Sequence, residues 1–250
     1  MTPEAEGPMQ AAQRLARPVL PKRFYKEAGT RPQDGAGFAI VLDGRPIITP
    51  GRNPVGVASR TLAEAVAAEW AAQGETIDPV TMPLTRIVNA AIDGVAKELA
   101  AVRDDIVRYS GSDLLCYRAE GPASLVARQE ALWSPVLAWA AGTHGIRLIL
   151  AEGVTPVAQP AESLERMLAA IAGYVPLRLA ALHVATTLSG SAVLALALAE
   201  GFLTADTAWE AAELDESWQS ERWGADAEAL KRARHRRRDF EAAAHILAET

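Results

Sequence analysis

LRLAALHVATTLSGSAVLALALA, residues 177–199, is the stretch whose reading decides the fold. About 20 apolar residues suffice to cross a bilayer, and by count this run qualifies. It is broken, however, by Arg178, His183, two threonines and Ser189-Gly190-Ser191. Such interruptions fit two helices meeting at a polar turn better than one rod facing lipid. We therefore expect helices over Leu177–Leu188 and Ser191–Glu200 at the buried centre of a helical domain, with no membrane insertion. His183 would be a satisfied core histidine and Ser191 an N-cap.

Outward from this centre the period stays helical. Ser163–Gly173, Thr204–Arg222 and Asp226 to about Ala248 carry helical spacing, and no strand pattern appears after Ser163. The last of these has an apolar stripe of Leu230, Ala233, Phe240, Ala244 and Leu247 with which it can dock on the bundle. Upstream, EGVTPVAQPAES at residues 152–163 reads as a linker, and before it strands mix with helices. Phe38–Leu42 and Arg45–Thr49 flank Asp43-Gly44, a strong two-residue hairpin signal. Pairing Leu42 with Arg45 sets Ile40 against Ile47 and requires Pro46 to lie at an edge. Helices are expected over Ser59–Gln73, with Trp70 in the core, and over Met82–Ile92, Val95–Tyr109 and Leu125–Ala140, where Pro135 threatens a kink. Further strands are expected over Asp113–Arg118 and Arg147–Ala151. The fold class is α+β: a disordered tail at 1–20, a mixed strand-and-helix domain with a β-hairpin at 21–157, and an all-helical domain at 158–250.

A second helix stands out for chemistry. In WEAAELDESWQSERWG, residues 209–224, Thr204 can cap the start and Gly224 the end. At steps of three or four, Leu203, Thr207, Ala211, Leu214 and Trp218 share one side and read as core. Trp209, Glu213, Glu216, Ser220 and Trp223 share the other. Carboxylates bracketed by indoles make sense where something docks, because aromatic anchors supply buried area and charge supplies orientation. The alternative is that Trp209 and Trp223 pack on neighbouring helices while the carboxylates stay solvated.

Bulk composition narrows the function classes. Half of the 250 residues are apolar, enough for a sizeable core, and the formal charge of -6 argues against wholesale binding to nucleic acid or anionic membrane. The run Lys231, Arg232, Arg234, His235, Arg236, Arg237 and Arg238 could still form a local anion patch. Intramolecular pairing with the acidic helix before it is the preferred account, with nucleic-acid binding as the alternative. Cys116 is the single cysteine, so no internal disulfide exists, and it reads as buried. No phosphate-cradling loop, dinucleotide fingerprint or GxSxG elbow is present. Asp34-Gly35-Ala36-Gly37 reads as a turn. The four histidines are far apart, and Glu241 with His245 is a lone pair, so no metal and no cofactor is expected. Glu213 and Glu216 lie on one helix side, unlike a glycosidase pair that must approach a bond from two walls.

Seven motifs occur in order: KRFYK (22–26), LDGRPIITP (42–50), EWAAQ (69–73), MPLTRIVNAAID (82–93), DLLCYR (113–118), LSGSAVLALAL (188–198) and LDESWQSERWG (214–224). Together they resemble the assembly chaperone family of the mitochondrial ATP synthase that acts on the alpha subunit of the catalytic head, a family found also in alphaproteobacteria. The resemblance covers nearly everything from Lys22 onward. It implies a non-enzymatic protein that keeps the unassembled alpha subunit soluble until the beta subunit takes its place. It also implies an important acidic position in the helix before the Trp-Gly pair, carried here onto Glu216, with Asp215, Gln219 and Trp223 as neighbours. Glu213 and Trp209 join these as candidates from the face described above. The N-terminus, with Glu4 and Glu6, is too short and acidic for a mitochondrial leader, so a bacterial cytoplasm is expected, or the mitochondrial matrix in a eukaryote.

Overall fold

The structure is a computed structural model that describes residues 20–33, 37–153, 155–224 and 226–250. The tail expected to be disordered, up to residue 19, lies outside the described residues, as do the first three positions of the Asp34–Gly37 turn.

The chain opens with a small antiparallel sheet. Strand β1 (Ala28–Pro32) pairs with β2 (Phe38–Leu42), Thr30 standing opposite Ile40. The other edge of β2 takes β3 (Arg45–Pro46) and β4 (Gly56–Val57). Leu42 faces Arg45, and Ile47 N donates to the Ile40 carbonyl at 3.0 Å, the register the Asp-Gly turn predicts. Asp43 and Gly44 adopt φ of 47° and 77°, the left-handed pair that a two-residue hairpin requires. Pro46 sits on the outermost strand, where its missing donor costs nothing. Strand β1 carries no alternating pattern, only Ala-Gly-Thr-Arg-Pro, and its pairing comes from β2 rather than from its own composition.

Helix α1 (Arg60–Ala71) starts at Ser59, whose hydroxyl accepts from Leu62 N, and buries Leu62, Ala63, Val66 and Ala67 under the sheet. Trp70, expected in the core, is only partly buried, edge-on to Tyr25. Helix α2 (Pro83–Ala90) widens into a π turn over Ala91–Val95 before α3 (Leu99–Ser110). The strand expected at Asp113–Arg118 is instead a short 3-10 turn, Leu114–Cys116, followed by β5 (Tyr117–Arg118). Asp113 forces this, because its carboxylate accepts from Leu115 N and folds the backbone back on itself. β5 pairs in parallel with β6 (Ala151–Glu152), so the strand expected over Arg147–Ala151 survives only at its end. Between them α4 (Ala123–His144) runs through Pro135 and stops at Gly145, φ 72°.

Helices follow: α5 (Ala161–Ile171), α6 (Pro176–Ser189), α7 (Ala192–Ala199), α8 (Ala205–Ala212), α9 (Leu214–Trp223) and α10 (Ala227–Glu249). Residues 177–199 fold as two helices joined at a turn, Gly190 taking φ 69° and the Ser191 hydroxyl capping α7 at Leu194 N, 2.9 Å. All eight residues of α7 are buried, as befits a helix that is apolar all round. Helices α3, α4, α6, α8 and α10 enclose it. Among the described residues no helix is long and apolar enough to cross a membrane. His183 is not a core residue: it lies half-exposed on α6, with Nε2 2.6 Å from Asp105 Oδ2 on α3.

One buried carboxylate fastens this centre. Asp113 is fully enclosed and accepts from Leu115 N and Val193 N, each at 3.1 Å, beneath the start of α7. Burial pushes its pKa up to about 6, against the lowering pull of these donors. The second half of α10 packs on the strand-bearing portion, where Asp239 meets Arg86 at 2.5 Å and, at the helix end, Glu249 accepts from the Ser59 hydroxyl. The buried side chains of both portions form one continuous cluster.

Candidate functional site

Most polar residues of the ordered motifs have internal partners. The Arg23 guanidinium donates to the carbonyls of Tyr25, Gln73 and Lys26, closing the C-terminal end of α1. The Glu69 carboxylate accepts from Leu84 N, Thr85 N and the Thr85 hydroxyl, so EWAAQ caps the helix of MPLTRIVNAAID. Burial raises the Glu69 pKa while these donors oppose the rise. Asp93 accepts from Thr49 Oγ1, Gly51 N and Asn53 Nδ2, joining the same motif to LDGRPIITP, and these donors hold its carboxyl below its usual pKa. Such groups are fully engaged in holding the fold.

The α9–α10 hairpin is different. Glu221 ties α9 to α4 through a two-point ion pair with Arg128, both contacts 2.9 Å, and Trp218 is buried beneath it. Gly224, φ 81°, then ends α9, and the Asp226 carboxylate caps α10 by accepting from Glu228 N. The first half of α10 carries no fully buried residue before Phe240. Between the two helices lies an open groove of about 600 Å³, with Glu216, Gln219 and Trp223 on the α9 side and Ala229, Leu230, Arg232, Ala233 and Arg236 on the α10 side. Trp223 is 74% exposed and Leu230 47% exposed. The Trp223 ring touches Trp218 edge-on at 5.8 Å and leaves most of its surface uncovered.

Of the six residues picked from sequence, the structure gathers Glu216, Gln219 and Trp223, all exposed, on this groove. Asp215 is half-buried and accepts from Gln129 Nε2 at 2.9 Å, so it braces α9 on α4. Glu213 lines the groove floor but is 9% exposed and ion-paired to Arg236 at 2.8 Å, the N–H not aimed squarely at the oxygen. Burial raises its pKa, Arg236 lowers it, and the neighbouring Glu216 raises it again. Trp209 is a correction: it is 8% exposed, packed on Phe240 at 5.2 Å beneath the Arg236 guanidinium, and presents no outer face. The expected single helix from Thr204 breaks at Glu213, and both of its sides meet the body there: Trp209 packs on Phe240 of α10, and Leu214, 140° away by straight-helix spacing, is buried too.

Two further readings change. Leu230, assigned to the stripe that docks α10 on the bundle, faces the groove instead. Trp223 lines the same groove from the other side of Gly224, the helix-ending residue from which the α10 wall could have been found. The basic run is only partly paired within the chain. Arg236 reaches Glu213 and the Leu188 carbonyl, and Arg237 reaches Asp206 and Glu241. Lys231, Arg232, Arg234 and Arg238 are exposed, with no carboxylate within 4 Å among the described residues.

A second open cavity, about 880 Å³, is lined by Arg178, Glu200, Glu241 and His245. Arg178 donates to the carbonyls of Leu247 and Ala199, Glu200 meets His144 at 2.9 Å and Glu241 meets Arg237, while the buried Nε2 of His245 has no hydrogen-bond partner among the described residues. Among the described residues no three His, Cys, Asp or Glu side chains converge as a metal site.

Residues 22–141 match the family described as ATP12 chaperone protein. The mitochondrial protein atp12 of Schizosaccharomyces pombe is 26% identical over 217 residues, 81% of this chain and 74% of that protein. Crystallographic Atp12 from Paracoccus denitrificans superposes with a TM-score of 0.82 at 40% identity, covering 92% of this chain and 98% of that one. A lysine-for-aspartate mutant of the Paracoccus protein gives 0.82 at 39% identity over 91% and 97%. A structure from Agrobacterium tumefaciens gives 0.86 at 48% identity over 99% and 92%. With a common fold and this identity along nearly its whole length, the chain belongs to the ATP12 chaperone family.

Proposed function

We propose that this chain is an assembly chaperone that binds the unassembled alpha subunit of the F-type ATP synthase catalytic head, keeps it soluble and releases it to the beta subunit. The observation that carries the reading is the α9–α10 groove, in which an exposed tryptophan and leucine are flanked by carboxylates on one wall and guanidinium groups on the other. Interfaces buried in a finished assembly are nearly as apolar as a protein core and aggregate when uncovered. A shallow apolar anchor with a wet, charged rim can cover such a face and still give way to a partner that buries more of it. In this reading Glu216, Gln219 and Trp223 touch the client, while Trp209, Glu213 and Asp215 shape the groove from below. Part of the selectivity comes from orientation, since Glu216 and Arg232 demand opposite charges on the two flanks of the docked segment. The site of action is the bacterial cytoplasm, or the mitochondrial matrix in a eukaryote.

The test is co-expression of this chain with the alpha subunit of its own organism, without beta, followed by size exclusion. A soluble complex that dissolves on addition of beta supports the reading. An alpha subunit that stays insoluble or elutes alone overturns it.

A further inference from the structure

Of the features the client reading leaves unused, the outward side of α10 is the strongest. Lys231, Arg234, His235 and Arg238 recur at steps of three and four, so they stack along one face of the helix over about 10 Å. The opposite face carries Ala233, Arg236 and Phe240 toward the body. All four stripe residues are exposed, and the three permanent cations lack a carboxylate within 4 Å among the described residues. Like charges at these spacings repel one another and weaken the helix. In a chain of net charge -6 such a concentration is also against the general balance. Elsewhere on the same helix Arg236 and Arg237 have found carboxylates, so acids within reach are not in short supply.

We propose that this stripe docks an acidic segment of the protein client, in continuity with the groove. The inference rests on the client reading above. Leu230 and Arg232 line the groove and neighbour the stripe at helical spacing, Leu230 beside Arg234 and Arg232 beside His235, so a client segment that seats its apolar anchor between Trp223 and Leu230 can pass over the rim of α10 and lay its carboxylates along Lys231, Arg234 and Arg238. Charge selects a compact acidic partner over a nucleic acid. The stripe is short, and Glu228 and Glu241 bound it on the same helix while Glu216 stands across the groove. A phosphate backbone extending past the four residues would run into these carboxylates, whereas nucleic-acid affinity depends on neutralising a long succession of phosphates. The stripe acts mainly on encounter, since peripheral charge governs the association rate and its salt dependence.

The experiment compares the full chain with its Lys231→Glu/Arg234→Glu/Arg238→Glu variant, thermal melting first establishing that both are folded. Association with the alpha subunit is followed at low and high salt. The expected result is an association rate lowered about tenfold or more at low salt, with the two proteins converging at high salt. Equal rates and equal salt dependence overturn the inference. A labelled poly-glutamate peptide and a single-stranded RNA of equal charge are titrated in parallel. The peptide is expected to bind the wild-type chain, salt-sensitively, and to lose that binding in the triple variant. RNA binding as tight as the peptide's, or peptide binding untouched by the substitutions, overturns the inference. If the alpha subunit is not captured by either protein yet the peptide behaves as expected, the client reading fails and the acidic-segment stripe stands.

Discussion

The two halves of α10 follow different rules although they form one uninterrupted helix. From Phe240 to Leu247 nearly every side chain is buried, and the helix is wedged between α6, α7 and the strand-bearing portion. From Ala227 to Arg238 it is polar on three sides, and its one large apolar residue, Leu230, is left open. The same contrast separates the body from the α9–α10 arm as a whole. In the body, motif residues such as Arg23, Glu69 and Asp93 are saturated by partners. In the arm, Glu216 and Gln219 make no side-chain hydrogen bond or ion pair among the described residues, and Trp223 is 74% exposed beside Trp218. Polar and aromatic groups left open at a site whose supporting residues are firmly braced are what a binding surface needs before its partner arrives.

The contrast is broken most sharply with two leucines. Leu194, in the centre of α7, is fully enclosed, so Leu194→Ala removes its packing and leaves a cavity. A loss of about 4 kcal/mol in unfolding free energy is expected. Leu230→Ala should change stability by no more than about 0.5 kcal/mol, because the side chain is half in water already. Chemical denaturation of both variants measures the difference. Similar losses for the two would mean that the arm is part of the core.

The next largest effect belongs to Asp113 and runs with pH. Its folded pKa near 6 lies above the value of about 4 expected when unfolded, so the native state holds the proton more tightly. The stabilisation is therefore fully present below pH 4 and is lost as pH rises through 6, a change of about 3 kcal/mol. Asp113→Asn should flatten this dependence. The difference between wild-type and variant unfolding curves, taken from pH 4 to 7, isolates it from carboxylates such as Asp93 whose pKa values are lowered and whose contribution runs the other way. A constant difference across that range would remove Asp113 as the titrating group.

How much of this was legible in the sequence depends on whether a residue's neighbours are near in the chain. The hairpin register, the split of residues 177–199 into two helices, and the caps at Ser191 and Thr204 are local events set by turn chemistry and period. β1 was not legible, since it owes its conformation to pairing with β2. The break at Glu213 was not legible either, because no Gly or Pro marks it in the sequence. Glu216 and Trp223 could be placed on a candidate face from spacing alone. The α10 wall opposite them required knowing that the Gly224 turn folds one helix back along the other.

At the groove the predicted effects on stability are small and those on capture are large. Trp223→Ala and Glu216→Lys should each melt within a degree or two of wild type, since neither side chain is enclosed. Each should weaken capture of the alpha subunit at least about tenfold, the scale of a central aromatic anchor or a reversed flanking charge. Titration by fluorescence or calorimetry checks this. Unchanged affinity in both would assign the Trp223 indole to its contact with Trp218 and leave the groove without a client.

The smallest effect tests the seam between the two regions. Arg128 and Glu221 join α4 to α9 at the surface, with two parallel contacts of 2.9 Å, and both are solvent-exposed. Their charges are screened by salt, and holding two long side chains in register opposes the gain. Arg128→Ala should leave the global melting temperature unchanged. Yet α9 has only Leu214 and Trp218 buried to hold it, so even a weak tether can shift the balance between its docked and frayed forms. Amide hydrogen exchange in α9 should quicken in Arg128→Ala at low salt and match wild type at high salt, while exchange in α7 stays as slow as before. If α7 and α9 quicken together, the arm and the body open as one unit, and the contrast between them does not extend to their stability.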